Sequence, residues 1–302
     1  MPGSTGVPRV HAFSRFMAVA TFLLIIAGGL VTSTGSGLAV PDWPLSYGQF
    51  FPPIVGGILY EHGHRMIAGT VAILTVILAT WLWRTPSLGR RRWIGIAAVG
   101  VVLAQALLGG LTVLLKLPPV VSVGHACLGQ GFFCLMISIA LVTSAAWARL
   151  VPVDTGDGVR LRRPAFMVTC FLVLQLLTGA VVRHTGIGVP VHALLAMAVA
   201  VHIVLLGKRI MASHAGQPLL RQPMIALGVL LVIQLCLGVG ALLVTVGASM
   251  PPTTEAVLLR TAHMAVGALL LASSLIITLC AYRLYPPERS VSAVGVSAET
   301  VG

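Results

Sequence analysis

Residues 95–115 read GIAAVGVVLAQALLGGLTVLL, from Gly95 to Leu115, without a charged side chain. An α-helix rises 1.5 Å per residue, so roughly 20 apolar residues cross a bilayer core of about 30 Å. This stretch has that length, and Met224–Val246 has the same character. Working outward from them, apolar runs fall at 11–34, 58–83, 93–115, 122–146, 164–183, 189–207, 223–247 and 257–282. Of the 302 residues 57% are hydrophobic and 9% charged, and the mean hydropathy is +1.01. A water-soluble chain so composed would expose large apolar patches, which a bilayer tolerates. The prediction is an all-α integral membrane protein of eight transmembrane helices. The first run, from about Phe13, is too long for a signal sequence's apolar region and lacks a clear cleavage site, so it reads as a retained helix.

Charge placement sets the orientation. The formal net charge is +12, yet no basic face with interleaved aromatics appears, so nucleic acid is not an expected partner. The cations instead cluster between alternate runs: Arg84 with Arg90, Arg91 and Arg92; Arg149 with Arg160, Arg162 and Arg163; Lys208, Arg209 and Arg221. Arg9 and Arg15 stand at the start, Arg283 and Arg289 at the end. With eight helices and both termini cytoplasmic, 15 of the 19 Lys and Arg fall inside, leaving Arg65, Lys116, Arg183 and Arg260 outside. Positive residues favour the cytoplasmic side. The longest outward loop, Gly35–Gly57, contains Asp42, Trp43, Pro44 and Tyr47, and Trp and Tyr suit the headgroup zone. The five cysteines lie inside apolar runs without a CxxC pattern and read as packing residues.

The chain repeats itself. Gly28–Gly37 (GGLVTSTGSG) matches Gly179–Gly188 (GAVVRHTGIG), and His64–Ala72 (HRMIAGTVA) matches His192–Ala200 (HALLAMAVA). Gln105 pairs with Gln234, and Gly124-His125-Ala126 with Ala262-His263-Met264. Four spans per copy give both copies one orientation. Two parallel four-helix bundles related by a pseudo-two-fold axis along the membrane normal follow. The division is 1–147 for the N-terminal unit, 148–163 for a cytoplasmic linker, 164–285 for the C-terminal unit and 286–302 for a disordered tail.

Coordinating side chains in a membrane span are costly and point to function. His64, His125, His192 and His263 lie near the outer ends of the second, fourth, sixth and eighth helices, one pair per unit. Two imidazoles facing each other across a bundle core form the axial pair of a bis-histidine haem. Interhelical hydrogen bonding is the alternative use of such residues. Copper or zinc would normally recruit further Cys, Met or carboxylate ligands. Only the first unit adds an acid: Glu61 and His64 are i and i+3 on one helical face. Val189 stands at the place of Glu61 in the second unit, and Ala193 at the place of Arg65. A carboxylate beside a haem can move protons, so the first unit is read as holding the reacting haem and the second an electron-relay haem. Glu61 could instead only pair with Arg65 at i+4. Arg65 and Arg183 could neutralise haem propionates or simply snorkel. His62 reads as a polar loop-end residue and His202 as structural; His11, His184 and His214 have no assigned role.

The text from Gly28 to Pro44 (GGLVTSTGSGLAVPDWP), then Glu61-x-x-His64-Arg65, then His125, His192 and His263 in order, resembles the haem A synthase family over about 11–283. The resemblance implies an enzyme that oxidises the C8 methyl of haem O to a formyl group, through two hydroxylations and loss of water, giving haem A for terminal oxidases. By it, His64 and His125 flank the substrate haem O, Glu61 is the catalytic carboxylate, and His192 and His263 ligate a haem b cofactor. It implies a cell inner membrane location and dealings with a haem O synthase and terminal oxidase assembly proteins. The electron donor is left unidentified, and a homo-oligomer is compatible with the sequence. Many bacterial relatives carry a cysteine pair in the first outward loop; this chain has none there. An electron-transferring bis-histidine cytochrome b and a membrane transporter are the competing readings.

Overall fold

The computed structural model describes residues 6–153, 156–246 and 252–286. Its long helices are α1 (Gly6–Ser33), α2 (Gly57–Trp83), α3 (Trp93–Leu114), α4 (Pro119–Val142), α6 (Gly156–Thr185), α7 (Val189–Ser213), α8 (Pro218–Val246) and α9 (Thr254–Leu284). A short α5 (Ala145–Ala148) follows α4, and a 3-10 segment, Pro86–Arg92, leads into α3. Eight helices are long and apolar enough to span a bilayer, and no strand occurs among the described residues. In hydrocarbon each backbone N–H and C=O must be satisfied within the segment, which leaves a sequence this apolar little choice but helix. The chain is a multi-pass membrane protein.

The spans match the apolar runs in number, but some ends differ. The segment read as a linker over 148–163 is helical from Gly156, and α6 runs through Pro164. Likewise α8 starts at Pro218, ahead of Pro223. Each internal proline removes only one amide donor, leaving the carbonyls of Arg160 and Leu219 without their usual partners, within the first turns of helix. The apolar run at 122–146 divides into α4 and α5, with Ser144 capping α5 by accepting from the Trp147 amide at 3.0 Å. The 286–302 tail, Arg289 included, falls outside the described residues except for its first residue.

Neighbouring helices close two rings. In the first, α1 packs on α2, α2 on α3, α3 on α4 and α4 back on α1; α6, α7, α8 and α9 repeat this order. The rings meet where α1 touches α9, α4 touches α6, and α4 touches α9. A pseudo-two-fold would exchange the first two contacts and run beside the third, so the packing is consistent with one.

Lipid is as apolar as leucine, so helix association rests on close packing and interhelical hydrogen bonds. Both devices are present. Gly95 sits so close to α2 that a Cβ there would lie 3.0 Å from the Ala79 Cα. Phe133, Ala268 and Ala272 pack with Phe22 between the bundles. Thr169 Oγ1 lies 2.8 Å from Ser274 Oγ and 2.9 Å from Thr278 Oγ1, tying α6 to α9. Such bonds average about 0.6 kcal/mol in membranes.

The fully apolar cores occupy one end of each bundle. Leu78, Leu82, Ala98, Val102, Met136 and Ile139 fill the first, and Ile203, Leu206, Ile210, Leu220, Leu227 and Ile277 help fill the second. The opposite end of each bundle contains the paired histidines.

Candidate haem-binding sites

Each of the four histidines rests against a glycine on the preceding helix. A Cβ placed on Gly28 would come within 3.0 Å of His64 Cε1, and one on Gly109 within 3.0 Å of His125 Cε1. In the second bundle the equivalent distances are 2.9 Å from Gly179 to His192 and 3.0 Å from Gly238 to His263. Ordinary van der Waals contact begins nearer 3.4 Å. Any larger residue would displace the ring, so hydrogen at these positions lets each imidazole lie against a bare helix backbone.

Glutamines complete the repeat. Gln105 and Gln175 donate to the backbone carbonyls of His125 and His192 at 2.9 and 3.0 Å. The side-chain nitrogens of Gln175 and Gln234 face His192 Nε2 at 3.3 Å and His263 Nε2 at 3.4 Å. Gly129 and Gly267 make room for Gln105 and Gln234: a Cβ on them would lie 2.9 and 3.2 Å from the amide nitrogens. Thr178 Oγ1 approaches His192 Nδ1 at 3.1 Å. The first helix has Leu24 where the repeat places Gln175, so the second site holds one more polar group.

The His192 and His263 ring centres are 6.3 Å apart, with planes crossed at 77°. A metal–nitrogen bond of about 2 Å on each side, plus about 1 Å from nitrogen to ring centre, gives about 6 Å for two imidazoles sharing one metal. His64 and His125 hold the corresponding places in the first bundle, each against its glycine. Among the described residues no group of three or more His, Cys, Asp or Glu gathers as a metal cage. Paired imidazoles therefore suit a centre that brings its remaining ligands with it, as a porphyrin does. Buried polar atoms without partners concentrate here: Nδ1 of His64, His125 and His263, and Oε1 of Gln105, Gln175 and Gln234. Each such atom costs about 1–3 kcal/mol unless a ligand or water meets it. Polar groups of this kind, in the bundle ends that lack an apolar core, fit a haem.

The first site has a cover formed by the long outward loop between α1 and α2. The Glu61 carboxylate is buried; Oε2 accepts the Val40 amide at 2.8 Å and Oε1 accepts Arg65 at 2.6 Å. Arg65 also donates to the carbonyls of Asp42 at 2.7 Å, Leu45 at 2.8 Å and Val40 at 3.3 Å. All four of its terminal N–H groups are thus engaged with the loop and Glu61. His62 is buried and its Nδ1 lies 2.8 Å from Ser46 Oγ, so it anchors the loop and is no loose polar end. The loop carries Trp43 onto α3, where a Cβ on Gly110 would lie 2.7 Å from the indole. Asp42 accepts the amides of Tyr47 at 2.7 Å and Gly48 at 2.8 Å. The Gly48 hydrogen bond, above all, holds the Asp42 carboxyl below its usual range, with the Tyr47 amide and Arg65 assisting.

Arg183 reaches away from its own bundle, donating to Gly29 O at 2.9 Å and Ser33 Oγ at 2.7 Å on α1. His202 Nδ1 lies 2.8 Å from Ala198 O, and its ring centre is 4.6 Å from that of Phe171. His11 Nδ1 meets Ala140 O at 3.0 Å, and His214 Nδ1 meets Tyr285 Oη at 2.9 Å. Gly109, Gly238 and Gln175 escape a sequence reading centred on histidines. Their signal is the four-residue spacing Gln105–Gly109, Gln175–Gly179 and Gln234–Gly238, which puts glutamine and glycine on one helical face.

A family model described as cytochrome oxidase assembly protein matches residues 55–191. The chain is 32% identical over 182 residues to a heme A synthase of Bacillus pumilus, covering 57% of this chain and 59% of that protein. It is 30% identical over 178 residues to the heme A synthase of Lysinibacillus sphaericus, 57% of each, and 27% identical over 170 residues to that of Bacillus licheniformis, 56% of each. The matched stretch spans less than two thirds of each relative's length. The residues matched by that family model, 55–191, include Glu61, His64, Arg65 and His125.

Proposed function

We propose that this chain is a haem A synthase that oxidises the C8 methyl of haem O to a formyl group. The observation that carries the reading is the fourfold recurrence of an imidazole seated on a glycine, paired within each bundle. His64 and His125 bind the substrate haem O from its two faces, and Gly28 and Gly109 fix their rings and so the depth of the substrate. His192 and His263 hold a haem b, which supplies one-electron chemistry when bound.

The outward loop excludes water from the first site, with Trp43 over Gly110 and the Arg65–Glu61 pair as its latch. Glu61, one turn before His64, is the group that holds and passes protons. Each of its oxygens accepts one hydrogen bond while the loop is down, from Arg65 and from the Val40 amide, which leaves the carboxylate a further acceptor position on each oxygen for a proton. Arg183 spends one terminal nitrogen on α1 and keeps the other for a haem propionate. Arg65, engaged at both terminal nitrogens, retains only Nε for one. The basic clusters support an orientation with both termini on the cytoplasmic side of the cell inner membrane. A haem O synthase as donor and oxidase assembly proteins as recipients follow from the reaction.

The test is incubation of the purified protein with haem O and a reductant system, followed by analysis of extracted haems. Hydroxylated and formyl products are expected. Unchanged haem O, with two haems permanently bound, would replace this reading with an electron-transferring cytochrome b. A protein without any Soret absorption would return the transporter reading.

A further inference from the structure

The two bundles are joined at their histidine ends by one guanidinium. Arg183 is the last-turn residue of α6 that lies one turn beyond Gly179, the seat of His192. Its Nη2 donates to the carbonyl of Gly29 on α1, adjacent to Gly28, the seat of His64. The same nitrogen donates to Ser33 Oγ, which lies 2.9 Å from Thr261 Oγ1 on α9, two residues before His263. The Thr261 methyl and the Met264 side chain both pack at Gly29. The glycine seats of His64 and His192, and His263 itself, are therefore within about one turn of helix of a bond in this network.

The fold alone does not call for an arginine here. The repeat that aligns Gly28–Gly37 with Gly179–Gly188 puts Thr32 at the equivalent place, and Thr32 spends its hydroxyl on Gly28 O of its own helix. Nor is Arg183 answered by an acid: among the described residues the one ion pair is Glu61–Arg65. A cation held in a span on neutral acceptors is expensive, and cations so placed serve function.

Resting on the haem reading, we infer that Arg183 is a positioning residue shared by both sites, locking the α1 turn behind His64 to the α6 turn behind His192. Loss of the guanidinium frees α1 and α6 to shift against each other, and both imidazole seats move. The two haems are thereby coupled through a protein contact, and a change at one site is felt at the other.

The experiment compares low-spin electron paramagnetic resonance signals and redox titrations of wild type, Arg183→Gln, Ser33→Ala and Thr178→Val, each loaded with haem. Arg183→Gln is expected to shift the signals of both sites and lower haem retention at both severalfold. Ser33→Ala, which removes an acceptor on α1, is expected to shift both signals in the same direction by less. Thr178→Val removes a hydroxyl that meets His192 Nδ1 and the Gln175 carbonyl, both in the second bundle, and is expected to move one signal. Should Arg183→Gln fail to fold, Ser33→Ala carries the same test. A loaded protein in which both Arg183→Gln and Ser33→Ala disturb one site or neither overturns the coupling alone. A wild type that takes up no haem overturns the haem reading with it.

Discussion

Gly28→Ala is the sharpest local perturbation of the first site. The new Cβ would lie 3.0 Å from His64 Cε1, 3.5 Å from Nδ1 and 3.6 Å from Nε2. The whole ring edge is therefore in the way, and both partners sit on helices packed along their length. Relief requires the ring or α1 to move by several tenths of an ångström. Overpacking of this kind costs about 1–3 kcal/mol. At about 1.4 kcal/mol per factor of ten, haem affinity at this site should fall about 5- to 150-fold. The helix propensity gain of alanine over glycine, about 1 kcal/mol, works on folding and does not restore the ring's position. Gly63→Ala is the matched control: it adjoins His64 in sequence, but a Cβ there meets nothing within 4 Å. Haem titration of the purified variants, followed by Soret absorbance, makes the comparison. Equal affinity in Gly28→Ala and wild type, with an unchanged low-spin spectrum, would refute the claim that the glycine sets the imidazole.

Three further outcomes follow from the loop and its latch. Glu61→Gln keeps the shape but faces two donors, the Val40 amide and Arg65, with only one oxygen; whichever way the amide turns, its NH2 meets a donor. Loop attachment should weaken by about 1–3 kcal/mol, measured as faster proteolysis between Ala39 and Gly56, and unchanged cleavage would count against the latch. Gly110→Ala should push Trp43 outward, read as a red shift of its emission in a variant whose other tryptophans are replaced by phenylalanine; an unmoved spectrum would mean that the indole is not seated there. The Asp42 carboxyl is held below its ordinary value of 3.8, so its contribution to the turn is complete above that value and is lost as the pH falls through the lower folded value. Protease sensitivity of the loop should rise in that acid range, and Asp42→Asn should be open already at neutral pH and lack the acid step.

Much of the architecture is legible in the linear text because bilayer thickness dictates run length. Gly95–Leu115 and Met224–Val246 could be little else than spans, and the alternation of basic clusters fixed their number. Helix ends were harder to place. Pro164 and Pro223 look like starts because proline ends most helices, whereas here each lies inside a helix and forfeits a single backbone hydrogen bond. The four histidines stood out because imidazole is costly in a span, and the internal repeat paired them. Their glycine seats did not, since glycine in an apolar run is common and its meaning lies in what faces it from another helix. The burial of His62 is hidden for a similar reason: Ser46 reaches it only once the loop folds back. The partners of Arg183 lie about 150 residues away in sequence, on a helix that local periodicity cannot place beside it.

The central claim is that one imidazole pair in each bundle grips one iron. Electron paramagnetic resonance of the fully loaded, oxidised protein, quantified against pyridine haemochrome haem content, tests it directly. Two low-spin bis-histidine signals are expected, one removed by His64→Ala or His125→Ala and the other by His192→Ala or His263→Ala. A single signal that survives all four substitutions, or haem bound in equal amount without any of these histidines, would contradict it.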